Sequence, residues 1–220
     1  MKIQFTKKKE IYNYCAPYII AEIGANHNGD MDLAKKMIDS AIDCGCDAVK
    51  FQSWNNKSLI SNTGYKQNAI FDDSKKKHFG SLEEMVDKYY LRKEQHFELN
   101  NYCTSKGVDF CSTPFSIEEI DLLNELDVEF FKIASYELLW DDLLEKCAKT
   151  KKPIIISTGM ASYKEIKTAY KKLKNFGCKD LSIMHCVSNY PANLSDCNLS
   201  TIKKIKRNFK CKVGWSDHSK

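Results

Sequence analysis

Seven short apolar runs recur along the chain, at residues 18–23, 48–52, 108–112, 130–134, 154–157, 181–185 and 212–215. Most are continuously apolar rather than alternating, the pattern of strands covered on both faces. Segments of helical periodicity lie between them. In residues 30–45 the side chains Leu33, Ala34, Met37, Ile38, Ala41 and Ile42 share one face, with Asp30 as N-cap and Gly45 just past the end. Three later helices are announced by the S-x-x-E spacing of a capping box, at Ser81/Glu84, Ser116/Glu119 and Ser162/Glu165. Residues 198–209 supply one more. Such β-α alternation predicts a parallel sheet of right-handed βαβ units. The stretch 53–107 is too long for one crossover and must hold an extra loop and two helices. The opening 17 residues read as a small hairpin capping the bottom of the sheet.

An open doubly wound sheet and a (β/α)8 TIM barrel both satisfy this alternation. No G-x-G-x-x-G follows the first strand, which argues against dinucleotide binding. Polar residues stand at nearly every strand end: Glu22, Lys50 and Gln52, Thr113, Lys132 and Ser135, Ser157, His185, then Ser216, Asp217 and His218. Convergence of so many ends on one site predicts the barrel, whose carboxyl rim is the active face. Lys50 and Lys132 lie inside otherwise apolar strands, where an ammonium must be satisfied, and a doubly anionic ligand would do so. Ser135, Ser157 and Ser216 are suited to phosphate oxygens, and Gly159 lets the backbone approach. Glu22 would position a proton or a water. His218 and, more weakly, His185 are candidate divalent-metal ligands.

Composition narrows the class. A hydrophobic fraction of 43% over 220 residues supports one sizeable core, and the net charge of +5 is mild. No basic stripe interleaves with aromatics, so nucleic acid is not an expected partner. No apolar run approaches the ~20 residues that span a bilayer. A cytoplasmic protein with no membrane partner and ten reduced cysteines is expected.

The ordered stretches YIIAEIGANHNGD, AVKFQSW, DFCSTPF, FFKIAS, IISTGM, MHCVSNYP and VGWSDHS resemble the sialic acid synthase family, from about Tyr18 onward. That family comprises N-acetylneuraminate synthase and its legionaminate and pseudaminate relatives. The resemblance implies condensation of phosphoenolpyruvate with an N-acyl mannosamine-type sugar, giving a nine-carbon 2-keto acid and phosphate, with Mn2+ or Mg2+ as cofactor. It implies that Glu22, Lys50, Lys132 and His218 are catalytic and that His218 binds the metal. Lys50, Lys132, Ser135, Ser157 and Ser216 would hold phosphoenolpyruvate with Thr113 and Ser188, while Gln52, Glu137 and Tyr190 would face the sugar. Asp217 is included in the substrate-binding set. Selectivity for the acyl sugar is expected largely in the loop 54–80.

Members of that family continue past SDH into an eighth strand and a smaller antifreeze-like domain, and the full-length relatives are expected to be homodimers. Residues 1–220 therefore read as one TIM-barrel synthase domain truncated after strand 7, in which catalysis by this chain alone is open. A related aldolase acting on another aldose phosphate, and a non-catalytic barrel binding anions or a partner, are the alternative readings.

Overall fold

The computed structural model describes residues 3–12, 14–67 and 81–220 and divides the chain into two compact units. One is Cys15–Val128, and the other joins Glu129–Lys220 to the segment ending at Tyr14.

In Cys15–Val128 the parallel strands β3 (Ile20–Gly24), β4 (Ala48–Ser53) and β5 (Asp109–Pro114) form one sheet in that order. (The hairpin strands β1 and β2, described below, precede them in the chain.) Between β3 and β4 runs α1 (Met31–Asp43), whose start follows from Asp30: its carboxylate accepts from the Asp32 and Leu33 amides. Ala34, Ile38 and Ala41 turn inward, at the expected helical spacing. Among its described residues the stretch 53–107 holds three helices rather than two: α2 (Asn62–Gln67), α3 (Leu82–Tyr89) and α4 (Lys93–Lys106). Trp54, Tyr65, Val86 and Phe115 make a small apolar cluster beneath α2 and α3. Residues 68–80 of the expected selectivity loop lie outside the described residues. Helix α5 (Ile117–Glu125) follows β5.

The capping boxes at Ser81/Glu84 and Ser162/Glu165 are formed. The third is not. Ser116 is the N-cap residue of α5, but its hydroxyl donates to Glu118 at 2.7 Å and makes no cap bond. Glu119 accepts from Asn55 Nδ2 at 3.0 Å and Ser58 Oγ at 2.9 Å. The tertiary bonds from a half-buried loop to the buried Glu119 outcompete the local reciprocal pair.

The second unit carries the parallel sheet β6 (Phe131–Ile133), β7 (Ile154–Ser157), β8 (Leu181–Cys186) and β9 (Lys212–Ser216). Its helices are α6 (Asp141–Lys149), α7 (Tyr163–Asn175) and α8 (Ser200–Asn208). The antiparallel pair β1 (Ile3–Gln4) and β2 (Glu10–Ile11) belongs here too. Phe5 stacks on Phe130 at 5.2 Å, Lys212 Nζ lies 4.9 Å over the Phe5 ring, and Lys7 pairs with Glu129 at 3.3 Å. All three partners sit at the amino ends of β6 and β9, so the hairpin covers the end of the sheet away from the polar rim. All seven expected strands are present, within two residues at either end. They form two parallel ladders of three and four strands, an α/β arrangement.

All ten cysteines are free thiols, and Cys44 simply caps the end of α1. No helix among the described residues is long and apolar enough to cross a membrane.

Candidate active site

The carboxyl ends of β3, β4 and β5 assemble a charged group from the pleat alone. Glu22 is in register with Lys50, and Gln52 with Thr113. Because side chains alternate along a strand, Lys50 and Gln52 share a face while Phe51 turns to the other. There Phe51 stacks on Phe110 at 5.6 Å, anchoring the strand pair. Lys50 forms an ion pair with Glu22 and donates to Thr113 Oγ1 at 3.4 Å. Gln52 reaches Glu22 at 3.5 Å and accepts from the Trp54 indole N–H at 3.2 Å. The ladder breaks register between Glu22 and Gly24. Gly24 there has φ of +56°, and a Cβ would lie 3.2 Å from the Glu22 carboxylate, so glycine supplies both the turn and the room. The Glu22 side chain is 46% exposed and that of Lys50 13%. The pair is therefore open to water on its carboxylate side and largely covered on its ammonium side.

In the other unit, Lys132 on β6 is 7% exposed. Its ammonium donates to Ser157 Oγ at 2.5 Å and to the Ile133 carbonyl at 3.2 Å. The Gly159 amide donates to Ser135 Oγ at 2.9 Å. A Cβ on Gly159 would stand 2.0 Å from Ser188 Oγ and 3.0 Å from Ser135 Oγ. Three hydroxyls, a buried ammonium and one bare backbone position thus gather beyond β6, β7 and β8. Ser216 ends β9 in register with Cys186. Glu137 is buried and accepts from the Ala134 amide at 3.1 Å, bracing the turn after β6.

His218 lies just beyond β9. Its Nδ1 is 2.8 Å from the Val187 carbonyl, which can only accept, so Nδ1 carries the proton and Nε2 keeps its lone pair. Tyr190 stacks on the ring at 4.1 Å. The Ser219 amide and hydroxyl beside Asp217 hold its carboxyl below the usual range. His185 is different. Its Nε2 bonds the Cys197 carbonyl at 2.7 Å and its buried ring packs on Trp215 at 5.0 Å. No group of three or more His, Cys, Asp or Glu side chains able to hold a metal occurs among the described residues. His218 Nε2 is the ring nitrogen that the Val187 contact leaves open.

A family model described as NeuB matches residues 37–220. The chain belongs to the NeuB family. Relatives of this NeuB chain include the N,N'-diacetyllegionaminic acid synthase of Campylobacter jejuni, 43% identical over 92% of the chain and 60% of that protein. The pseudaminic acid synthase of Helicobacter pylori is 34% identical over 92% of the chain and 59% of its own length. Among solved structures, the N-acetylneuraminic acid (sialic acid) synthetase of Leptospira borgpetersenii, in complex with citrate, superposes with a TM-score of 0.84 at 34% identity. That match covers 100% of this chain and 71% of the other. The NeuB chain therefore spans about 60% of the length of these two curated relatives.

Sequence reasoning on this NeuB chain missed a polar group on the opposite face of β4 and β5. His96 on α4 is 1% exposed, with Nδ1 2.9 Å from the Arg92 carbonyl and Nε2 2.7 Å from Ser53 Oγ, which is 2.7 Å from Ser112 Oγ. His27, also 1% exposed, accepts from the Gly29 amide at 3.1 Å. Only His27, inside AEIGANHNGD, carried a sequence signal; nothing local marks His96.

Burial pushes both imidazoles below the usual histidine range, and for His27 the nearby His96 adds to it. A base whose folded value is depressed binds its proton more readily when unfolded. Its contribution to stability is therefore complete above about pH 6.5 and is lost as the pH falls through the depressed values. Thermal melts should show stability falling as the pH drops below about 6.5, with about 1.4 kcal/mol per pH unit as the upper bound for each histidine. His96→Gln should flatten that slope, and a wild-type melting temperature level from pH 7.5 to 5 would refute the assignment.

Proposed function

We propose that this chain carries the substrate-binding face of a synthase that condenses phosphoenolpyruvate with an N-acyl mannosamine-type sugar. The product is a nine-carbon sialic-acid-type 2-keto acid, with inorganic phosphate released. The observation that carries this reading is the Lys132 ammonium held 2.5 Å from Ser157 beside the Ser135, Ser188 and Gly159 cluster. A buried cation on one serine hydroxyl, with two more hydroxyls gathered at Gly159 two residues further along the chain, suits a phosphate or carboxylate, because charge-assisted bonds there are strong.

In this reading Lys132, Ser135, Ser157, Ser188 and Ser216 bind the enol ester, and Gln52, Glu137 and Tyr190 orient the sugar. Lys50 leaves Glu22 for the bound anion with Thr113 in support, and Asp217 steadies the turn that presents His218. Carbon three of phosphoenolpyruvate forms a bond to the aldehyde carbon, whose oxygen takes up a proton. Water adds to the cation left at carbon two, and phosphate departs with cleavage of its C–O bond. Glu22, freed from Lys50, would hold the proton or the water at that carbon. A divalent cation, Mn2+ or Mg2+, is part of the proposal: held by His218 Nε2, it would polarise the aldehyde oxygen. Closure of the parallel strands into a barrel and assembly of the full-length relatives as homodimers are carried with it.

The test is phosphate release by the chain supplied with phosphoenolpyruvate, N-acyl hexosamines and Mn2+, alongside calorimetric binding of phosphoenolpyruvate. Release dependent on both substrates and suppressed by a chelator is the expected result. Binding without release would favour a non-catalytic anion-binding role. Neither binding nor release, with any N-acyl hexosamine, would overturn the proposal.

A further inference from the structure

We propose that His96 is a positioning residue: through Ser53 and Ser112 it holds in place the two strand ends that carry Gln52 and Thr113. Calling Gln52 and Thr113 substrate-facing rests on the function proposed above; the hydrogen-bond geometry does not.

The relay has a defined direction. The Arg92 carbonyl accepts from His96 Nδ1–H, so in the neutral ring Nε2 must accept from the Ser53 hydroxyl. Ser53 Oγ, its own proton committed, then accepts from Ser112. One imidazole on α4 thereby dictates the orientation of hydroxyls on both β4 and β5. Ser53 follows Gln52 in the chain, and Ser112 precedes Thr113, so each relay residue is one peptide from a candidate substrate contact. The pleat puts the relay on one face and Gln52 and Thr113 on the other, where they stand opposite each other in the ladder. A slip of the relay face is transmitted through a single rigid peptide unit to the site face.

Stability alone does not call for this arrangement. Ser53, Ser112 and His96 are 0%, 1% and 1% exposed, and three apolar side chains of similar size would fill the space without desolvating polar groups. A fully satisfied buried network instead selects one arrangement among near-equal packings, because any other leaves a donor or acceptor unmet. Depression of the His96 proton affinity by burial is consistent with a ring that stays neutral and keeps its acceptor.

The experiment compares wild type, His96→Gln, and the triple variant Ser53→Ala/Ser112→Ala/His96→Met by melting temperature, hydrogen exchange and kinetics. The triple variant removes every partner at once and should melt within about 3 °C of wild type. Exchange of the Phe115 amide, which donates to the Ser53 carbonyl at 3.1 Å, should nevertheless accelerate about tenfold or more. KM for the sugar should rise about tenfold with kcat changed less. His96→Gln retains an acceptor for Ser53 and should restore both within about threefold. Wild-type exchange in a folded triple variant overturns the proposal. Should the triple variant not fold, Ser112→Ala alone decides: about threefold faster Phe115 exchange at an unchanged melting temperature supports the relay, and unchanged exchange overturns it. The exchange arm stands even if wild type releases no phosphate, a result that counts against the proposed function only.

Discussion

Lys132→Met should cut phosphoenolpyruvate turnover by about 10²-fold or more while leaving the protein folded. Lys132 is 7% exposed, with its ammonium on Ser157 and the Ile133 carbonyl at the end of β6. Methionine fills the volume of the lysine stem without the charge, and the desolvation cost of a buried ammonium goes with it. The ligand loses its most deeply placed cation. Removing one preorganised charge from a site of this kind lowers turnover by about 10²–10³-fold, and we expect kcat/KM to fall by at least that much. Calorimetry should show a parallel loss of phosphoenolpyruvate affinity. A Lys132→Met protein that keeps kcat/KM within about threefold of wild type would remove the central support for the proposed function.

Gly159→Ala should damage binding far more than folding. The added Cβ would sit 2.0 Å from Ser188 Oγ, 3.0 Å from Ser135 Oγ and 3.2 Å from Cys186 Sγ. No carbon tolerates the first of these distances, so Ser188 must rotate away. Ser135, which accepts from the Gly159 amide, must give as well. Two of the hydroxyls assigned to the enol ester are displaced by one methyl group. Both are short polar side chains near the rim, so the protein can relax around the change at a cost of about 1 kcal/mol. Phosphoenolpyruvate affinity should weaken by about 10–100-fold, consistent with two charge-assisted bonds lost or bent. A bulk melting temperature near wild type, with that loss in calorimetry, is the expected pair of results. Unchanged affinity would mean that the ligand does not lie over Gly159.

The reading of individual elements shows where local information runs out. The strands were legible because parallel, two-sided burial demands unbroken apolar runs, and Ile154–Ser157 was recovered to the residue. Helix α1 was legible because Asp30 and Gly45 mark its ends by chemistry that needs no partner elsewhere in the chain. Ser116 and Glu119 have the same spacing as two true capping boxes and form none. Asn55 and Ser58, more than sixty residues away, supply Glu119 with better partners in a buried setting. The identities of Glu22, Lys50, Gln52 and Thr113 as strand-end polar residues could be read directly. Their pairing could not, because a register is a relation between strands, and it brings Glu22 rather than a neighbour opposite Lys50.

His96 is the clearest case of what remained hidden. In a helix with no strong apolar stripe it is one polar residue among many, and only the packing of α4 on the sheet buries it against Ser53. His218 and His185 divide on the same ground. Both were metal candidates by residue type, and each rests one ring nitrogen on a carbonyl, but His185 is buried against Trp215 while His218 is half-buried just beyond β9. The amino-acid sequence by itself determined the alternation of strands and helices, the chemical types at the strand ends and the family, because hydrophobic period, caps and ordered motifs are local. Only the tertiary structure decided which donors face which acceptors, because hydrogen bonds and ion pairs between distant segments depend on distances of a few tenths of an ångström that no local pattern encodes.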